Sequence, residues 1–125
     1  MRISKKAEYG LLAMLAMMMI PLPPLALDVD SADWPSTRFD AVFSANTAHI
    51  MPWPSVCRMI AGVERLLGAT GRFFLYGPFN YDGRHTSESN ARFDLSLKAA
   101  DPGMGIRDFE AVRDEAAGVG LALER

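Results

Sequence analysis

Neutral hydrogen-bonding side chains are concentrated between residues 76 and 90, directly after an apolar run. They are Tyr76, Asn80, Tyr81, His85, Thr86, Ser87 and Asn90. Phenol, amide, imidazole and hydroxyl groups can fix a small polar substrate without adding net charge. The same residue types also satisfy the backbone of an exposed loop or start a helix. The pattern therefore leaves two interpretations open, a substrate-binding loop and a loop that caps its own backbone.

A second candidate site follows the apolar run FDAVFSAN, residues 39–46. Asn46 closes this run and His49 follows shortly after it. Imidazole is the side chain best suited to move a proton at neutral pH, so these two residues are candidates for catalysis. A single His beside Met and Trp is also a common packed residue with one nitrogen satisfied, and that alternative stays open.

Asp28 ends another apolar run, PLALDV. A carboxylate at this place can accept hydrogen bonds from an amino or hydroxyl group of a ligand, or it can simply form a turn. Cys57 stands where a helix begins, a position that favours a thiolate, but no Cys/His pairing is visible and we interpret it as an inert thiol. One Cys and two His cannot complete a four-ligand zinc site, so we expect no metal.

Length and charge narrow the classes of function. A chain of 125 residues with a net charge of −2 forms one small domain at most and has no basic footprint for nucleic acid. A single Cys cannot form an internal disulfide, so a reducing cytoplasm is the default compartment. The basic start followed by LLAMLAMMMI imitates a secretory signal, but it lacks a cleavage site and is too short to span a bilayer. We predict a helix over residues 3–19, ended by the prolines that follow, and no membrane partner.

The rest of the chain alternates apolar strands with amphipathic helices. Strands are predicted at residues 24–29, 39–46 and 72–77, with another beginning at 121, and helices at about 56–67, 89–99 and 109–119. Turn and capping residues predict where these elements meet: Gly68 as a C-cap, GATG (68–71) as a turn, Asp108 as an N-cap and Gly120 as a C-cap.

Strands joined by amphipathic helices indicate an α/β fold with a parallel sheet. Ligands of such sheets bind outside the carboxyl ends of the strands. We therefore expect Asp28, the 44–49 segment and the 76–87 loop to share one rim.

A resemblance to a known family rests on three stretches: LDV…ADWP…FDAVFSANTAHIMPW, LLGATGRFFLYGPFNYDGRHTSESNARFDLSLKAADPGMGIRD and LALER. They resemble methyltransferase-like proteins of the methyltransferase-like protein 26 type, over residues 24–125. The family looks like a class I S-adenosylmethionine-dependent methyltransferase, a Rossmann-like sheet of seven strands. The resemblance implies that Asp28 and Val29 lie near the cofactor adenine and that Asn46 and His49 face the reaction centre. It also implies a substrate side, lined by Tyr76, Asn80, Tyr81, His85, Thr86 and Asn90.

The N-terminal segment departs from that family. A strand, a glycine-rich cofactor loop, a helix and a second strand should precede LALDV, and MRISKKAEYGLLAML stands there instead. Those residues are similar to the first helix of winged-helix iron–sulfur and cysteine-metabolism repressors. We therefore expect residues 1–20 to be an unrelated N-terminal helix. Residues 24–125 would be a partial Rossmann-like methyltransferase sheet that lacks its first two strands and its C-terminal hairpin.

This organisation predicts how the chain behaves. Without the first strand, residues 40–45 keep an open edge, which favours self-association. We expect a methyltransferase-like protein with weak or no activity and weak or no binding of S-adenosylmethionine, acting on an unidentified small molecule. The alternative is a non-catalytic protein-interaction module, and a DNA-binding regulator has only Arg2, Lys5 and Lys6 in its favour.

Overall fold

The computed structural model describes residues 24–124, and these form a mixed α/β structure. In chain order the elements are β1 Phe39–Ala45, α1 Trp53–Leu66, β2 Leu67–Tyr76, β3 Phe79–Asn80, α2 Glu88–Ala100, β4 Arg107–Asp108 and α3 Phe109–Gly118. The predicted α/β class is confirmed. The helix predicted at residues 3–19 lies outside the described residues.

β1 and β2 form a parallel pair connected by α1, as predicted for this part of the chain. Val42 lies opposite Phe73 and Phe43 lies opposite Phe74. Aromatic and β-branched residues fit the pleated surface of a strand, which explains why these runs extend. β3 and β4 form a second, very short parallel pair.

α1 supplies most of the core, because its apolar side chains recur on one face of the helix. Val56, Met59, Ile60, Val63 and Leu66 are all buried there. They pack against Leu27, Val29, Val42, Ala48, Met51 and Leu67. The predicted helix at 56–67 is confirmed, with Pro54 in its first turn.

The strand predicted at residues 24–29 is wrong for the part of the chain that the structure describes. Leu27 and Val29 are buried, but the segment forms no ladder with any described residue. Pro24 has no N–H to donate to a ladder, and the chain turns at Asp28. The alternating apolar residues of this segment therefore pack in the core without pairing with another strand.

The junction after α1 also differs from the prediction. Leu67 is both the C-cap of α1 and the first residue of β2, so Gly68 is not the C-cap glycine. GATG is not a separate turn. Since Phe39 pairs with Leu67 and Ala41 with Arg72, these four residues form an irregular stretch inside β2 opposite Asp40.

α3 ends at Gly118 and its C-cap is Val119, so Gly120 is the residue after the C-cap, with a φ of +96° that only glycine adopts without strain. The N–H of Gly120 donates to Ala117 O at 3.1 Å and the N–H of Leu121 donates to Ala116 O at 2.9 Å, the double bond of a Schellman motif. Asp108 occupies the predicted N-cap position, but its side chain makes no capping hydrogen bond. Residues 121–124 form no strand with the described chain.

The two faces of the β1–β2 pair are covered unequally. The face that carries Val42, Ser44, Phe73 and Leu75 packs against α1 and α3. The opposite face carries Phe43, Phe74 and Tyr76, which are exposed among the described residues. No helix within residues 24–124 is both long enough and apolar enough to cross a bilayer.

Candidate functional site

A cavity of about 420 Å³ opens where β1 and β2 end, and we call it the rim cavity. Its walls are Asn46, Tyr76, Gly77, Pro78, Phe79, Tyr81, Thr86 and Asn90. Five of the residues predicted as site residues therefore meet here. None of the described residues that line the cavity carries a charged side chain.

Asn46 takes its place because the chain turns sharply at the end of β1. Its φ is +56°, a left-handed conformation that Asn tolerates better than most residues. Its N–H donates to Tyr76 O at 2.8 Å, which ties the end of β1 to the end of β2. The Asn46 side chain makes no hydrogen bond to a described residue and lies against the cavity.

His49 lies in the turn that follows, behind Gly77. A β-carbon placed on Gly77 would lie 3.8 Å from both His49 Nδ1 and Asn46 Oδ1, so both side chains approach this glycine. The imidazole is 7% exposed and packs edge-on against Phe93, with ring centroids 5.3 Å apart. Burial, helped by the positive charge of Arg107, lowers the pKa of His49 from its usual value. The ring is therefore neutral at pH 7.

Another part of the cavity wall is a tight turn at residues 81–84, which contacts α3. Tyr81 and Arg84 exchange backbone hydrogen bonds of 3.1 and 3.0 Å, and Asp82 stands between them at a φ of +52°. The N–H of Asp82 donates to Glu110 Oε1 at 3.1 Å, and the Tyr81 ring stacks on Phe109 at 5.2 Å.

Part of the polar run caps α2. The N–H of Asn90 donates to Ser87 Oγ at 3.1 Å, which makes Ser87 the N-cap of that helix. The Asn90 amide also donates to Thr86 Oγ1 at 2.8 Å. The capping interpretation therefore holds for Ser87, whereas Thr86 and Asn90 also line the rim cavity.

Two predicted substrate residues lie outside the cavity wall. Asn80 donates through Nδ2 to Ile106 O at 3.4 Å, while its buried Oδ1 has no partner among the described residues. His85 Nε2 lies 3.7 Å from Asp94 Oδ2, on the α2 side of the loop.

The predicted cofactor residues are not part of the rim cavity either. Asp28 is exposed, and its Oδ1 accepts from the N–H of Asp30 at 2.9 Å, which is the turn that its sequence position also suggested. The Val29 side chain is 1% exposed and packs in the core, so only its backbone could contact a ligand.

Asp94 is a buried carboxylate that sequence reasoning missed. It accepts hydrogen bonds from Lys98 Nζ at 2.6 Å and from the N–H of Ile106 at 2.7 Å. Burial by itself raises the pKa of Asp94, but these two hydrogen bonds, together with the neighbouring charges of Lys98 and His85, outweigh burial and lower the pKa overall. The spacing of four residues between Asp94 and Lys98 was the available signal for an ion pair on one helix face.

Arg107 was also missed, although it fixes the turn that holds His49. Its guanidinium donates to three backbone carbonyls, those of Ala48 at 3.1 Å, of Gly103 at 2.7 Å and of Met51. The N–H of Gly105 adds a bond of 3.0 Å to His49 O. No sequence signal points to these contacts, because the acceptors are backbone atoms more than fifty residues away for two of the three bonds.

Two further kinds of site were considered within residues 24–124, a metal site and a reactive thiol at Cys57. No group of three or more His, Cys, Asp or Glu side chains in this range could hold a metal ion. Burial and the neighbouring Glu115 raise the pKa of Cys57, which favours the unreactive thiol over the thiolate.

Comparison with protein families gives a match that covers nearly the whole chain. A family described as "Protein of unknown function (DUF938)" matches residues 7–125. The match begins ahead of the described residues, so it also takes in most of the segment that precedes Pro24. The chain therefore belongs to the DUF938 family.

Proposed function

We propose that this chain is an S-adenosylmethionine-dependent, methyltransferase-like protein. In this proposal the rim cavity binds the methyl acceptor, which is a small, uncharged, polar molecule. The observation that carries the proposal is the cavity wall. Amide, hydroxyl and phenol groups line it beside the phenyl ring of Phe79, and no charge lies among them. Such a wall selects a neutral ligand by hydrogen bonds and ring contacts.

The position of the cavity supports the same proposal. It lies at the carboxyl ends of β1 and β2, which is where α/β sheets bind their ligands. The resemblance to class I methyltransferases supports an acceptor site on this rim, and the partial Rossmann-like sheet is part of the proposal.

His49 is the residue best placed to accept a proton from the acceptor group. Its side chain does not line the rim cavity, but its Nδ1 approaches Gly77, which does, and its lowered pKa leaves one ring nitrogen free of a proton at pH 7. Asn46 lies beside it with a free amide that can orient the same group. Removal of a proton from an attacking nitrogen or oxygen is the contribution that these two side chains make to methyl transfer.

The described residues do not form a complete cradle for S-adenosylmethionine. Asp28 offers an exposed carboxylate for an amino or hydroxyl group, but one of its oxygens is engaged by Asp30 and the Val29 side chain faces the core. We therefore expect residues 24–124 to contribute only a contact with the adenine of the cofactor.

Calorimetric titration with S-adenosylhomocysteine tests the cofactor side. We expect weak binding, with a dissociation constant on the order of 1 mM, that is lost in Asp28→Ala and kept in the control Asp33→Ala. Equal affinity in both variants, or no heat at millimolar ligand, would overturn the assignment of Asp28.

A non-catalytic interaction module is the second candidate, and one observation favours it. A groove of about 1030 Å³ runs along β2 and is lined by aromatic and aliphatic side chains, among them Phe43, Phe74 and Val112. Exposed apolar surfaces of this kind mark interaction sites. A stable dimer in size-exclusion chromatography, without any response to S-adenosylhomocysteine, would favour this candidate.

A further inference from the structure

Two aromatic side chains of the rim cavity are held by a third ring, that of Phe109, which lies outside the cavity wall. The Tyr81 ring stacks on Phe109 with the centroids 5.2 Å apart and an angle of 28° between the ring planes. Phe79 meets the same ring edge-on, at 6.5 Å and 83°. Phe109 is the first residue of α3, so a regular helix positions both rings. Rings that are fixed before binding favour a flat, rigid ligand, because little conformational entropy is then lost.

Most polar groups of the cavity wall do not discriminate between ligands. The phenol groups of Tyr76 and Tyr81 rotate, so each can donate or accept a hydrogen bond. The Asn46 side chain offers both an oxygen and an NH₂ group. These three residues can therefore hold many kinds of small polar molecule.

The pair formed by Thr86 and Asn90 is different, because a hydrogen bond within the pair determines what each side chain can offer. Asn90 Nδ2 donates to Thr86 Oγ1 at 2.8 Å. Asn90 Oδ1 makes no hydrogen bond to a described residue, so it is the atom that can accept from a ligand. The Thr86 hydroxyl already accepts from Asn90 and keeps its own hydrogen to donate. The cavity wall therefore presents one acceptor and one donor side by side.

A ligand that matches this pair has a C=O group next to an N–H group. Carboxamides and ring lactams have both, whereas a ketone or an ester has no donor and a carboxylate adds a charge. The cavity volume of about 420 Å³ is at the small end of the range for ligand sites and suits a molecule of one or two rings.

We propose that the rim cavity recognises an aromatic carboxamide or a ring lactam. The C=O of the ligand accepts from the Thr86 hydroxyl, and its N–H donates to Asn90 Oδ1. This inference rests on the proposed function, since it names the substrate class of the same cavity. It also assigns Asn90 as the residue that determines specificity, because Asn90 alone has an acceptor whose role is set by an internal hydrogen bond.

Benzamide and acetophenone test the proposal as a matched pair of probes. They share the phenyl ring and the carbonyl group, and they differ only in an NH₂ group against a CH₃ group. Each is titrated into the ¹⁵N-labelled full chain, and the dissociation constant is obtained from the amide signals of Asn46, Gly77 and Asn90. We expect benzamide to bind about fivefold more tightly or better, since one more hydrogen bond is formed.

Two variants and a control identify the residues that discriminate. Asn90→Ala should remove most of the preference for benzamide, because the acceptor for the N–H is lost. Thr86→Val should weaken the binding of both probes, because both carbonyl groups lose the same donor. Glu88→Gln, in the same turn of α2 but outside the cavity wall, should keep the affinities and the preference. The comparison of the two probes on the unaltered chain does not require any variant to fold.

The outcomes separate this inference from the proposed function. Equal affinity of the two probes, with shifts at the rim cavity, would overturn recognition of an amide and leave the cavity as a site for neutral ligands. A preference that persists in Asn90→Ala would overturn the role of Asn90. No shift at the rim cavity with either probe would contradict both the inference and the proposed function.

Discussion

His49 is held neutral by its surroundings, and that makes folding sensitive to pH. Because burial and Arg107 lower its pKa in the folded protein, the unfolded chain takes up a proton first as the pH falls. The stabilising contribution is complete above the unfolded pKa of about 6.5 and is lost as the pH falls towards the folded pKa.

We therefore expect the free energy of unfolding to decrease between pH 7.5 and 5.5, and the decrease to be smaller in His49→Gln. Urea denaturation at the two pH values measures it. An unchanged slope in His49→Gln would show that its ring does not titrate as described.

Asp94 joins α2 to the chain ahead of β4. In Asp94→Asn the ion pair with Lys98 is lost and one hydrogen bond to the buried site is weakened, so we expect a loss of about 2 kcal/mol in urea denaturation. Asp114→Asn removes an exposed carboxylate beside Arg113 and should change the stability by less than about 0.5 kcal/mol. Equal effects of the two changes would contradict the structural role of Asp94.

At the scale of elements, α1 approaches the loop before β1 so closely that only glycine fits. A β-carbon at Gly62 would overlap the Trp34 indole, whereas one at Gly118 in α3 meets nothing within 4 Å. We expect Gly62→Ala to destabilise the protein by about 1–3 kcal/mol and Gly118→Ala to stabilise it by up to about 1 kcal/mol. The midpoint of thermal unfolding, measured for both variants, tests these expectations. A higher midpoint in Gly62→Ala would mean that Trp34 does not pack against Gly62.

Arg107 joins β4 to the turn at residues 48–51. In Arg107→Lys the charge is kept, but one ammonium group cannot serve three carbonyls, so we expect a loss of about 2 kcal/mol. The imidazole signals of His49 should shift with it, since the turn is released. Arg113→Lys is the exposed control, and unmoved His49 signals would show that Arg107 does not position that ring.

Local pattern was enough to predict several elements, but not their connections. β1, α1, α2 and the Schellman motif at Gly120 follow from apolar spacing and glycine placement, which act within a few residues. The prediction of a strand at residues 24–29 was wrong. An extended segment that packs its apolar side chains in the core has the same alternating pattern as a strand, so the sequence does not distinguish the two. The prediction of a turn at GATG was wrong because β1 pairs with β2 both before and after these four residues.

At the scale of the whole molecule, the candidate site was predictable only where strand ends bring residues together. Asn46, Tyr76, Tyr81, Thr86 and Asn90 meet because parallel strands end at one edge. The spacing of Asp94 and Lys98 could have indicated their ion pair, but the contacts of Asp94 with Ile106 and of Arg107 with Ala48 were out of reach, since tertiary folding brings those backbone atoms to them.

The central claim is that the rim cavity binds a small, uncharged, polar molecule, and a matched pair of probes tests it most directly. Nicotinamide and nicotinate differ chiefly in charge, and each is titrated into ¹⁵N-labelled protein. We expect nicotinamide to shift the amide signals of Asn46, Gly77 and Asn90, with no response to nicotinate at the same concentration. Equal shifts with both probes, or shifts confined to residues away from the carboxyl ends of β1 and β2, would contradict the account.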